Sequence, residues 1–255
     1  MAGTHATDDP FADELIYRKQ QAVYAGSRGP DAREVLWEHA AALRPPTGLE
    51  VGAGEGGLSE RLHRGGTRMA AVDASPRMAR LCTARGVPCA VARLPRLPFA
   101  PMTFDLVVAA WVLHYLPRES VRPALAELVR VLRPGGTLLL ATNADRHMEE
   151  LWRRLPSARY SLTFPAERAV EDLAAVGMAA VAEEVEGEVV FDDYAQAHGF
   201  VARQVRPPEA ADRLARFEGP LAVTRRASVI RARRAHADQR ASAPSPGSAA
   251  TGRES

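Results

Sequence analysis

From about residue 47 onward, short apolar runs of strand length alternate with amphipathic stretches of helix length. Runs at 48–52, 68–73, 87–92, 104–110 and 137–142 are rich in Leu, Val, Met and Ala. They predict strands buried on both faces. Stretches 57–64, 76–85 and 118–132 between them predict helices, the last stopped by Arg133-Pro134-Gly135-Gly136, a turn foreign to any helix or strand interior. Such alternation implies a parallel sheet with right-handed crossovers. Two further helices are predicted ahead of it, at 13–25 (with Leu15, Ile16, Tyr17, Val23 and Tyr24 as its buried stripe) and at 32–43. Beyond Asn143 the pattern predicts a helix to about Leu155, helices near 166–176, 193–204 and 208–217, and strands at 178–185 and 188–191. An antiparallel closing strand is predicted at 221–232.

Chemistry concentrates at the turn after the first strand. Residues 47–57 read T-G-L-E-V-G-A-G-E-G-G. Glycines here permit a left-handed backbone and let the chain come within contact distance of a ligand. Alone, the G-x-G-x-x-G spacing of Gly52, Gly54 and Gly57 is a weak signal, whose alternative is a ligand-free glycine-rich connection. A second apolar run ends in Asp73, 21 residues beyond Gly52, where a neighbouring strand would offer a carboxylate to both hydroxyls of a ribose. Its alternative is a helix N-cap ahead of Ser75-Pro76. Glu50 precedes the first glycine by two residues. It would repel a pyrophosphate at this loop, but suits a ligand carrying an ammonium and a sulfonium, as S-adenosylmethionine does.

The blocks L-E-V-G-A-G-E-G-G, A-V-D-A-S-P-R-M, L-P-F-A-P-M-T-F-D-L-V-V-A-A-W-V-L-H-Y-L and E-L-V-R-V-L-R-P-G-G-T-L-L-L resemble, in order and spacing, the Rossmann-like (class I) S-adenosylmethionine-dependent methyltransferases. Together they cover residues 47–142. The continuation A-T-N-A-D-R-H-M-E-E-L-W is similar to a bacterial small-molecule subgroup carrying T-N-G-x-x-H, with Ala144 in place of the glycine. The resemblance implies an α/β, doubly wound, mostly parallel seven-stranded sheet with one antiparallel strand and helices on both faces. It also implies S-adenosylmethionine as cofactor. Glu50, Gly52, Ala53 and Gly54 would hold the methionine part, Asp73 and Ala74 the ribose. Met78 would cover the adenine and Leu94 would hold it by backbone, while Ala110 and Trp111 would lie beside the sulfonium. Arg93 stands where the family usually carries an Asp that accepts from the adenine amino group, and arginine has donors only.

The expected reaction is methyl transfer to an oxygen or nitrogen of a small molecule by in-line displacement, driven mainly by alignment and exclusion of water. His114 and His147 are the candidate general bases, required only if the acceptor must lose a proton. The alternative for both is a packed histidine that shapes the pocket. Tyr17, Tyr115 and Asn143 are candidate acceptor contacts, and Tyr24 is readable as either a cofactor lid or core. Residues 1–46 are expected to cap the cofactor site, and 47–234 to form the methyltransferase domain. Within it, 47–142 would be the cofactor half and 143–220 the acceptor side. A low-complexity, disordered tail is expected over 235–255.

Composition narrows this picture only a little. The hydrophobic share of 46% and charged share of 25% in 255 residues are those of an ordinary globular enzyme. No apolar run approaches membrane-spanning length and the start lacks a secretory pattern, so a cytoplasmic location is expected. Cys82 and Cys89 read as small buried hydrophobes, and no metal-ligand spacing is present. The late arginines Arg225, Arg226, Arg231, Arg233, Arg234 and Arg240 read as a solvated strand face and tail, since no aromatic residues interleave them as a nucleic-acid reader would need. Three rival readings remain: a dinucleotide-dependent oxidoreductase, a non-catalytic partner protein of the same fold, and a nucleic-acid methyltransferase. The acceptor and the oligomeric state are not legible.

Overall fold

The computed structural model describes residues 23–24, 26–156, 162–204 and 208–234. Most of the expected leading helix, with Tyr17, and the expected tail 235–255 lie outside the described residues. The elements run α1 (Ala32–Ala42), β1 (Thr47–Val51), α2 (Gly57–Arg64), β2 (Arg68–Asp73), α3 (Pro76–Ala84), β3 (Cys89–Val91), β4 (Phe104–Ala110), α4 (Arg118–Val131), β5 (Leu132–Asn143), α5 (Glu149–Trp152), α6 (Ala166–Ala174), β6 (Met178–Phe191), α7 (Tyr194–Gln204) and β7 (Leu221–Arg234). One seven-stranded sheet has the order β3-β2-β1-β4-β5-β7-β6. β1 to β5 pair in parallel, and β7 runs antiparallel to both its neighbours. The expected fold class is borne out.

Burial explains why the strand runs were legible. All five residues of β1 are buried, because helices cover both faces of the sheet. On one face Leu49, Val107, Leu138 and Leu140 pack against Leu125 and Leu128 of α4 and Leu173 of α6. On the other, Ala71, Leu106, Val108 and Leu139 meet Leu36 and Ala40 of α1 and Leu62 of α2. A third cluster joins Met148 and Trp152 to Phe191, Phe200 and Val223.

Local chemistry sets the boundaries. Ser75 caps α3 by accepting from the Met78 N–H, with Pro76 at the first helical position. The Arg-Pro-Gly-Gly turn is present as a bulge inside β5. Phe104 pairs with Leu132 and Leu106 with Thr137, so the four intervening residues loop out.

Four expectations change, and the first is the strand expected over 137–142, which begins at Leu132 and carries the Arg-Pro-Gly-Gly turn within it. The two runs at 178–191 form one continuous strand, β6, along the sheet edge. The helix expected to reach Leu155 is only Glu149–Trp152, because Met148 sits at φ 53 and donates its N–H to Thr224 on β7 at 2.8 Å. The helix expected over 208–217 is a 3₁₀ segment, Pro208–Arg213.

Candidate active site

The strand order reverses between β1 and β4, and in open parallel sheets ligands bind beyond the carboxyl ends of strands at that point. A cavity of about 1560 Å³ opens there. Its wall holds Glu50, Gly52, Ala53, Gly54, Asp73, Ala74, Met78, Leu94, Ala110, Trp111, His114, Tyr115, Asn143 and His147. Every expected site residue among the described ones thus faces one space.

Gly52 has φ +72 and Gly54 φ +55, the left-handed region that only glycine adopts without strain. At Gly52 a Cβ would come within 2.3 Å of Val112 Cγ2, whereas at Gly54 it would meet nothing within 4 Å. Gly52 is closed over by protein, and Gly54 leaves its backbone open to the cavity.

Two buried carboxylates organise this loop. Asp73, 8% exposed, accepts the Gly54 N–H at 2.8 Å through Oδ2 and the Ser75 N–H at 2.8 Å through Oδ1. Each oxygen keeps a further lone pair, so the carboxylate can still accept from two hydroxyls. The cap of α3 is Ser75, which removes the N-cap alternative for Asp73. Glu50, 6% exposed, accepts at Oε2 from the Ser59 N–H (3.0 Å) and hydroxyl (2.5 Å). Burial pushes its carboxyl up to about 7, the Ser59 hydrogen bonds oppose the shift, and the charge of Asp73 adds to it. Ser59 lies in the first turn of α2. Glu50 therefore already occupies the amide end of the helix on which a pyrophosphate would need to rest.

At the end of β4, Trp111 has φ +54, uncommon for a large side chain and a conformation that clusters at functional sites. It is held there by its N–H to the Ala141 carbonyl at 2.7 Å and by Nε1 donating to Asn143 Oδ1 at 2.9 Å. Asn143 thus braces Trp111. Arg33 of α1 lies 5.6 Å from the Trp111 ring and 5.7 Å from that of Tyr24.

His114, in the 3₁₀ turn Leu113–Tyr115, has a buried Nδ1 without a partner among the described residues. Burial lowers its pKa to about 4. His147 is 5% exposed, and its Nδ1 meets the Arg226 backbone, 3.0 Å from the carbonyl oxygen and 3.2 Å from the nitrogen. Burial lowers it to about 4 as well, with the charges of Arg225 and Arg226 adding to the effect. Both imidazoles are therefore neutral near pH 7 and weak as bases. Arg93 is exposed and lines the cavity beside Leu94.

The arginine run departs from the sequence reading. Arg231, Arg233 and Arg234 are exposed, but the Arg225 side chain is only 12% exposed and forms part of the cavity wall. Ser59, Val112, Arg33 and Arg225 are site residues that sequence reasoning missed. Ser59 alone had a local signal, its place in the first turn of the helix that follows the glycines. Cys82 and Cys89 are both free, and burial pushes the Cys82 thiol up to about 12. No cluster of metal-ligating side chains occurs among the described residues. No helix among them is long and apolar enough to cross a membrane.

The sheet order and helix placement are those of the Rossmann-like methyltransferase fold. The methyltransferase domain family matches residues 49–140, the stretch that carries the glycine loop, Asp73 and Trp111. Over 130 residues the chain is 32% identical to a malonyl-[acyl-carrier protein] O-methyltransferase of Enterobacter lignolyticus, covering 48% of this chain and 50% of that protein. Over 117 residues it is 39% identical to a demethylmenaquinone methyltransferase of Corynebacterium urealyticum, covering 43% of this chain and 50% of that protein. The chain spans about half the length of these curated relatives. Among solved structures, its fold is similar to the N-methyltransferase NodS of Bradyrhizobium japonicum in complex with S-adenosyl-L-homocysteine. The TM-score is 0.55 at 21% identity, covering 90% of this chain and all of that one.

Proposed function

We propose that this protein is an S-adenosylmethionine-dependent methyltransferase acting on an oxygen or nitrogen of a small molecule. The observation that carries the reading is the paired carboxylates at the ends of β1 and β2. Asp73 pins the open Gly54 backbone while keeping acceptor capacity, and Glu50 sits buried in the same wall without a cationic partner among the described residues. Such a site fits a ribose diol next to a cationic amino acid moiety. The same Glu50 opposes a pyrophosphate, which weighs against a nicotinamide dinucleotide.

When bound, the cofactor supplies an electrophilic methyl on a sulfonium leaving group. The chain's own residues do the rest. Gly52 and Gly54 admit close backbone approach, Met78 and Leu94 wall the adenine end, and Trp111, locked by Asn143, fixes the boundary between cofactor and acceptor. His114 and His147 flank the acceptor end as neutral imidazoles able to orient an acceptor by hydrogen bond. At a pKa of about 4 they abstract a proton poorly. Acceleration then rests on collinear alignment and exclusion of water. The residues ahead of β1, which contribute Tyr24 and Arg33 to the wall, would act as the cap.

Asp73→Ala is expected to weaken S-adenosylhomocysteine binding by about 1–3 kcal/mol, the result of leaving ribose hydroxyls without their acceptor. Equilibrium titration of both proteins checks it. Unchanged affinity would remove Asp73 from the ribose site.

A further inference from the structure

We infer that the methyl acceptor is a carboxylate-bearing small molecule with a planar apolar body, held by the Arg225 guanidinium; this rests on the methyltransferase reading above. Charge is unevenly distributed along the cavity. The ends of β1 and β2 carry the buried acids Glu50 and Asp73, while Arg225 enters the wall from β7, three strands away from β1. In the cofactor half, Arg61 is taken up by Glu34 at 2.7 Å and Arg85 by Glu60 at 2.9 Å.

Arg225 has no carboxylate partner that close among the described residues. Its Nη2 donates to the Pro30 carbonyl at 3.2 Å, and Asp31 approaches Nη1 only to 4.0 Å. The other Asp31 oxygen accepts the Arg33 N–H at the start of α1. Nε of Arg225 is buried and has no partner among the described residues. An unpaired buried donor on a cation is unfavourable unless a ligand completes it, and a carboxylate does so in matching planar geometry.

The backbone reserves room for this side chain. Gly187 pairs with Arg225 across β6 and β7, and a Cβ there would lie 2.8 Å from Arg225 Nη2. Ala227, two residues along, pairs with Asn143, so Arg225 stands on the same sheet face as the Trp111–Asn143 brace. Tyr24, Trp111, Trp152 and Phe200 line the wall between, a surface suited to a flat apolar body.

A carboxylate acceptor also agrees with the weak histidines, because it arrives deprotonated. Its oxygen lone pair forms the O–C bond as the S–C bond breaks, and the electron pair of the broken bond stays on sulfur. A neutral ester and a neutral thioether result, and no proton moves.

The test uses the full chain, first titrated with S-adenosylhomocysteine and then, saturated with it, with two matched pairs: 1-naphthoate against 1-naphthamide, and cinnamate against cinnamamide. Each acid is expected to bind at least about tenfold tighter than its amide. Arg225→Gln is expected to abolish that ratio while leaving the amides and S-adenosylhomocysteine unchanged, and Arg225→Lys to restore part of it. Equal binding of acid and amide, no binding of any of the four, or an equal loss for acid and amide in Arg225→Gln would overturn the inference. The last of these would mark Arg225 as a strut for residues 28–31. Should S-adenosylhomocysteine fail to bind while the acid-to-amide ratio persists without it, the methyltransferase reading falls and the anion site stands.

Discussion

Between about pH 4.5 and pH 7, the unfolding free energy of the native chain is expected to fall by about 3 kcal/mol relative to that of Glu50→Gln. Glu50 is raised from its ordinary 4.5 to about 7 by burial. In that window the folded chain holds a proton that the unfolded chain has released, so stability drops as pH rises. The contribution is fully present below about 4.5 and gone above about 7. Glutamine has no proton to lose and can still accept from Ser59, so subtracting the two pH profiles isolates this group. Denaturant melts at half-unit pH steps check the result. Parallel profiles would mean that Glu50 ionises freely in the folded chain. The same chemistry ties stability to function. A ligand ammonium beside Glu50 favours its charged form, so cofactor binding near pH 6 should release a fraction of a proton. The release is measurable as a buffer-dependent enthalpy and absent in Glu50→Gln.

Gly52→Ala is expected to lower stability by about 2–4 kcal/mol, with a melting point lower by roughly 5–15 °C. Part of the loss is the left-handed backbone at φ +72, which a Cβ opposes. The remainder is contact with Val112 Cγ2, 2.3 Å from where that Cβ would stand. Val112 leads directly into the turn carrying His114, so the substitution should also weaken S-adenosylhomocysteine binding. Adding Val112→Ala should restore the contact part and leave the backbone part, a coupling that a double-mutant cycle reads out. A Gly52→Ala chain with native melting and affinity would show that the loop does not need this conformation.

The cofactor half was legible from sequence because its determinants are local. The apolar runs become strands covered on both faces, and Gly52, Gly54 and Asp73 stand at fixed spacings around one turn. Residues 143–234 were less so, because their determinants are long-range. Met148 is drawn into a left-handed turn by Thr224, 76 residues away, which shortens the helix that periodicity predicts. β6 reads as two runs because Glu186-Gly187 interrupts the apolar pattern. Gly187 is small so that Arg28, Pro30 and the Arg225 guanidinium can lie against the strand. Arg225 itself belongs to a run whose members Arg231, Arg233 and Arg234 are exposed, and residues 28–31, crossing over β7, contribute to its burial. That burial weakens His114 and His147 as bases could be read only from their surroundings.

The most direct measurement is calorimetric titration of the purified chain with S-adenosylhomocysteine and, separately, with NAD. Saturable one-site binding of the first and none of the second is the predicted result. Binding of NAD, or of neither ligand, would contradict the assignment of Glu50 and Asp73 to a sulfonium cofactor and return Arg93 to the centre of the problem.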